Sequence, residues 1–195
     1  IVLLPFAKGL ERLAYLSIRE DEKERERHEI LSLLDERFLE QPAFAVERCR
    51  QVAAEMAKLS KTALANAVSL IEHYDEDVAK SVCSDEDEID RYEDELGSYL
   101  VKLSAKNLSE NDSRTLSMIL HCINDFERIS DHAVNIWETA RKKKEKKISF
   151  SEKATEELVV FSDAVKHILD LTVQVFTNED ANAANEIEPL EEVVD

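Results

Sequence analysis

Glycine and proline are nearly absent, with two and three in 195 residues. Turns between strands draw on these residues, so a many-stranded fold is disfavoured and a few long helices are expected. Cysteine is scarce too. Cys49, Cys83 and Cys122 are odd in number, far apart and form no CxxC, which argues against a disulfide framework or a thiolate zinc site. Each falls at an apolar helical position, so all three are expected as buried thiols in a reducing compartment. Positive charge is in deficit: 25 bases face 43 acids, for a net charge of −18. A nucleic-acid backbone calls for a basic face, so nucleic acid is not expected as a partner. A cationic partner suits this charge, either a metal ion or a basic protein surface. So does plain solvation of an acidic exterior. HExxH is missing, and none of His28, His73, His121, His132 and His167 has a Glu three residues before it. A ferritin-type di-metal oxidase needs such pairs, and no enzyme is expected.

Long apolar runs are also lacking. The opening IVLLPFAKGLERLAYLSI is shorter than the roughly 20 apolar residues that cross a bilayer. By composition it reads equally as the tail of a membrane protein's last helix and as an ordinary amphipathic helix.

What is present is helical periodicity. After a solvated charge run at residues 19–29, Pro42 suits the first turn of a helix running to about Tyr74. Val46, Cys49, Ala53, Met56, Leu64, Val68 and Ile71 mark its apolar side. A second helix is expected from about Val78 to Lys106. A third follows from about Ser113, with Asp112 or Ser113 as N-cap, ending in the run RKKKEKK at 141–147. Cations there suit the dipole at a helix C-terminus, and the run can face a membrane surface. Ser149 and Glu152 have capping-box spacing for a fourth helix.

The second part repeats the first at a shift of about 105 residues. Met56, Leu64, Val68 and Ile71 fall on Phe161, Leu169, Val173 and Phe176. Two similar helical units are implied, the first able to close a three-helix bundle and the second incomplete. The apolar face from Leu158 to Phe176 is then left unsatisfied, and oligomerisation through it, with or without swapping, is expected.

Acidic stripes run along the second and third helices. On a wheel of ~100° per residue with Ile119 at zero, Ile123 and Leu120 lie at ~40° and ~100°, Glu127 at ~80° and Asp131 at ~120°. Glu86, Asp90 and Glu93 flank the buried side of the second helix in the same way. Shifted by 105, Glu86 and Asp90 become Glu191 and Asp195. Crowded carboxylates at a core edge cost free energy unless something positive compensates them. A hard cation would do so; so would overlying lysines and arginines, or simple exposure to water.

NDFERISDHAVNIWETA, residues 124–140, resembles a motif of the PhoU family, phosphate-signalling proteins built from two three-helix bundles. The family's E/D-x-x-x-D falls on Glu127 and Asp131. Val82, Glu86, Ile89, Asp90 and Glu93 match the family's second helix, with Glu86 and Asp90 as a further E-x-x-x-D. LDERFLEQPAFAVERCRQ looks like the start of the first PhoU helix in the Na/phosphate cotransporter subset, where a transmembrane part precedes a cytosolic PhoU-like domain. IVLLPFAKGLERL resembles the tail of that transmembrane part.

The resemblance implies an all-α fold with a transmembrane tail and linker over 1–29, a complete PhoU-like bundle over 30–147 and a truncated one over 148–195. It implies multinuclear iron or zinc, with manganese or magnesium as alternatives. Glu86, Asp90, Glu93, Glu127 and Asp131 would hold a first cluster, and Glu191 and Asp195 would belong to a second. The chain departs from the family pattern in lacking the final helix with its own E-x-x-x-D, so the second cluster would need a helix from another chain. No metal is required for the first bundle to fold. The implied role is regulation of a sodium-dependent phosphate transporter at the cytoplasmic face of the plasma membrane, with that transporter's membrane part and a second copy as partners. The competing reading is a metal-free helical dimerisation or interaction module.

Overall fold

A computed structural model describes residues 29–178 and 181–194. Among the described residues there are helices and turns and no strand, the all-α fold that the lack of glycine and proline implies. Two short 3-10 turns, Ser32–Leu34 and Glu36–Glu40, precede α1 (Pro42–Glu72), α2 (Glu76–Ser104), α3 (Glu110–Glu145), α4 (Glu152–Asn178) and α5 (Ala181–Val194). The apolar opening and nearly all of the charge run lie outside the described residues. Among the described residues no helix is long and apolar enough to cross a membrane.

Three helices close on each other, with α1 against α2 and α3, and α2 against α3. Pro42 sits in the first turn of α1, where its missing N–H costs nothing. The buried side of α1 is rich in alanine: Ala45, Ala53, Ala63 and Ala67 are fully buried beside Cys49, Val52 and Met56. Small side chains let neighbouring backbones approach, and the large partners come from across the interface: Ile89, Leu96, Leu100 and Leu103 of α2, Ile119 and Ile123 of α3. Asp75 caps α2 by accepting from the backbone N–H groups of Asp77 and Val78. The turn before α1 is held to α2 by the Tyr99 hydroxyl, which donates to the Asp35 carbonyl at 3.0 Å, and by the Lys102–Glu36 and Lys106–Glu40 ion pairs.

Gly97 lies inside α2 without a positive φ, and a Cβ there would meet only the Cδ1 of Ile123, at 3.8 Å. That is an ordinary contact, so no steric reason demands glycine. Gly97→Ala should raise stability by about 0.5–1 kcal/mol in denaturant unfolding, because alanine loses less conformational entropy within a helix.

Two helix starts differ from the sequence expectation. The N-cap of α3 is Ser109, earlier than Asp112 or Ser113. Its hydroxyl accepts from the Asp112 N–H and donates to the Asp112 carboxylate, so Asp112 is the third residue of the first turn in a box-like cap. At α4 the cap is Ser151 and not Ser149, since the Ser151 hydroxyl accepts from Ala154 N–H. Cysteine burial is also uneven. Cys49 is fully buried, whereas Cys83 and Cys122 are only half-buried, because they lie at the edge of the apolar arc rather than inside it.

α3 ends in a Schellman motif. The Ile148 N–H reaches back to the Lys143 carbonyl and the Lys147 N–H to the Lys144 carbonyl. Lys147 stands at the left-handed position, with φ 53°, where glycine is the usual occupant.

α4 lies along α1 and α5 packs on α4. Phe176 meets Phe126 of α3 edge-on at 5.1 Å, and Lys61 pairs with Asp170 at 3.0 Å. In chain order α4 and α5 stand where the repeat read from the sequence places counterparts of α1 and α2. Burial does not follow it throughout. Met56 is fully enclosed, but its counterpart Phe161 is 52% exposed, next to the exposed Val159 and Val160.

Candidate functional site: an acidic seam between two helices

The middle of α2 and the middle of α3 bring five carboxylates to one seam. Glu86, Asp90 and Glu93 come from α2; Glu127 and Asp131 come from α3. Glu86, Glu93 and Glu127 are half-buried, and Asp90 and Asp131 are more open. They lie where the wheel puts them, between the apolar arc and water.

The electrostatics tie the two stripes together. Burial raises the Glu86 carboxyl above the usual carboxylate range, reinforced by Asp90 and Asp87 on its own helix and by Asp131 and Glu127 across the seam. Asp90 is raised by partial burial and then by Asp131. Glu127 is raised by burial, then by Asp131, Asp90 and Glu93, with Arg128 weakly opposing. Each stripe therefore feels the other.

No described lysine, arginine or histidine forms a salt bridge with any of the five. The nearby arginines are engaged elsewhere, Arg91 with Glu95 and Arg128 with Asp125. The backbone around Glu127 is well held: the buried Ser130 donates its hydroxyl to the Glu127 carbonyl at 2.8 Å, and the Asn135 amide donates to the Asp131 carbonyl. The stripe is thus presented on a regular helix, with its carboxylates left to each other and to solvent.

The signs give a pH prediction. A carboxyl raised in the folded state favours the fold fully below its ordinary pKa, near pH 4, and loses that contribution as pH rises through the raised value. Glu127→Gln removes the repulsion. The variant should therefore unfold at higher denaturant than the parent at pH 7, with the difference shrinking to nothing below about pH 4. Chemical denaturation of both proteins between pH 3 and pH 8, without added metal, reads this directly.

Residues 53–140 match the family model of the PhoU domain. This segment is a PhoU-like domain. The match runs from inside α1 almost to the end of α3 and contains all five carboxylates of the seam. PhoU domains serve in phosphate regulation and are regulatory rather than enzymatic. No curated protein and no solved structure matches the chain.

Carboxylate oxygens are the right donor chemistry for the iron, manganese or magnesium expected from the sequence, and zinc accepts them as well. Their placement falls short of a formed site. Among the described residues, no three acidic, histidine or cysteine side chains are grouped so that they could hold one ion. Glu191 is exposed on α5, beyond the matched segment, and is not among the groups that shift the seam carboxyls. Asp195 lies outside the described residues.

Two acids escaped the sequence reading. Asp85 and Glu88 of α2 are buried, at 4% and 8% exposure, more deeply than any member of the stripe, and each has partners in the fold. On the α2 wheel Asp85 falls at about −20° from Val78, well inside the apolar arc. That angle was the available signal.

Proposed function

We propose that this PhoU-like domain regulates a sodium-dependent phosphate transporter from its cytoplasmic side, through helix contacts that respond to a cation held by Glu86, Asp90, Glu93, Glu127 and Asp131. The observation that carries the reading is the seam itself: five mutually repelling carboxylates without a basic partner among the described residues. Bound charge would relieve that repulsion and draw α2 and α3 together, giving the domain two states that a partner can distinguish. The carboxylates would bind and orient; no bond-breaking step is assigned to them. The transporter context is suggested by the sequence on either side of the charge run, which resembles the join between membrane part and PhoU-like domain in the Na/phosphate cotransporters. The membrane part of that transporter and a second copy of this chain are the partners. In this reading α4 and α5 begin a second unit of the same kind, with Glu191 and Asp195 as its acidic pair.

The deciding experiment is elemental analysis of the purified protein after incubation with iron, zinc or manganese, beside the Glu127→Gln, Asp131→Asn double variant. One or more equivalents in the parent, lost in the variant, supports the reading. A metal-free parent leaves a helical interaction module whose acids are structural.

Self-association is checked separately. Val160 and Phe161, with Ala164 and Val194, line an apolar groove across α4 and α5. Light scattering over a concentration series should show a dimer that Phe161→Asp abolishes. A monomer at the highest concentration would remove this part of the proposal.

A further inference from the structure

The C-terminal end of α3 and the turn after it carry a second surface of opposite sign. Arg141, Lys142, Lys143, Lys144, Lys146 and Lys147 follow one another with a single acid, Glu145, in a chain of net charge −18. Some of this charge is neutralised locally. Lys142 pairs with Glu138 at 3.0 Å, Lys144 with Glu76 at 3.6 Å, and Arg141 lies 3.9 Å from Glu145. Three cations remain without a carboxylate among the described residues. Lys143 donates to the Ile71 carbonyl at 2.8 Å and sits 4.8 Å from the centre of the Phe150 ring. Lys146 and Lys147 are exposed and pair with no side chain among the described residues.

Immediately beyond them are two exposed apolar side chains, Ile148 at 52% and Phe150 at 46% exposure. The backbone holds this arrangement under strain. Lys147 occupies the left-handed position of the Schellman motif, a conformation that disfavours any residue with a Cβ. A lysine there keeps a positive charge at the tip of the turn where glycine would relax the backbone, and strain of this kind gathers at functional positions.

We propose that this corner, residues 141–150, docks on an anionic phospholipid surface, with Lys146 and Lys147 facing the headgroups and Ile148 and Phe150 entering the interface. Uncompensated lysines beside exposed aliphatic and aromatic groups are what such a surface attracts. Single-stranded nucleic acid, the other polyanion that an aromatic ring can stack on, fits less well, because it needs a basic groove that follows the strand and the rest of this chain is acidic. The inference stands apart from the transporter reading, since it rests on this corner alone.

The test is co-sedimentation of the full 195-residue chain with vesicles of phosphatidylcholine alone and of phosphatidylcholine with about a third phosphatidylserine. The variants are Lys146→Gln with Lys147→Gly, which removes two charges while suiting the left-handed position, and Ile148→Ser with Phe150→Ser. Circular dichroism confirms that both stay folded. The parent should bind the anionic vesicles and release them as salt is raised. The lysine variant should lose roughly fivefold in partitioning per charge removed, and the serine variant should lose severalfold at unchanged charge. Equal binding to neutral vesicles, or parent and variants binding alike, would assign attachment to another part of the chain, such as the apolar residues 1–18, and overturn the proposal. No binding to anionic vesicles, or a clear preference for a uridine oligonucleotide over them, would overturn it too.

Discussion

Leu96→Ala should cost about 3 kcal/mol and lower the melting temperature by roughly 6–12 °C. Leu96 is completely buried on α2. Its truncation removes the transfer free energy of the lost atoms and leaves a cavity. The surrounding structure has little means of filling it, because α2 is clamped between α1 and α3, and the neighbouring Gly97 has no side chain to move in. Calorimetry or chemical denaturation gives the number. A loss under 1 kcal/mol would mean that α2 can shift towards α3 and close the gap. Val101, 63% exposed on the same helix, supplies the control, and Val101→Ala should change stability by less than about 0.5 kcal/mol.

A second large effect is expected from cations. If the seam holds a divalent ion, the parent protein gains stability by mass action, about 2.7 kcal/mol when free metal is a hundredfold above the dissociation constant. Thermal unfolding with and without manganese or zinc should then differ by several degrees, and chelator should reverse the difference. In Glu127→Gln, Asp131→Asn the shift should vanish, while the metal-free variant should be at least as stable as the metal-free parent, because the substitutions remove repulsion. This crossing of signs separates a binding site from general damage. A variant weaker than the parent in both conditions would mean that Glu127 and Asp131 support the fold and do not wait for a ligand. A metal shift of equal size in both proteins would place the ion elsewhere on the acidic surface.

The helical architecture was legible because its signals are redundant. Scarce glycine and proline, apolar spacing over three long stretches and Pro42 all point the same way. The stripe was legible for a related reason: Glu127 and Asp131 sit one turn apart on a helix whose apolar arc is well marked, so their angles follow from arithmetic. Helix starts were less so. Between residues 109 and 113 stand two serines, an asparagine and an aspartate, all good caps, and the choice of Ser109 depends on where the turn after α2 delivers the chain. Ser149 and Ser151 pose the same ambiguity. The burial of Asp85 went unread despite its angle, because a carboxylate in the apolar arc is only tolerable with partners, and partners brought in by tertiary structure leave no local trace. Whether five carboxylates converge on one point is likewise a question of side-chain distances, and helix spacing fixes only the face they share.

The position of α1 has a consequence for how the molecule opens. Among the described residues it packs along α2, α3 and α4, while α5 has its main contacts with α4. Amide protons should therefore exchange with solvent in a graded order. Those of α5 are released by detaching a single element. Those of α1, around Ala53 to Leu64, are exposed only when nearly everything else has let go, and their exchange should track the global unfolding free energy. Among the described helices α5, which carries Glu191, would thus open first, while the α2–α3 seam rests on the slowest-exchanging helix.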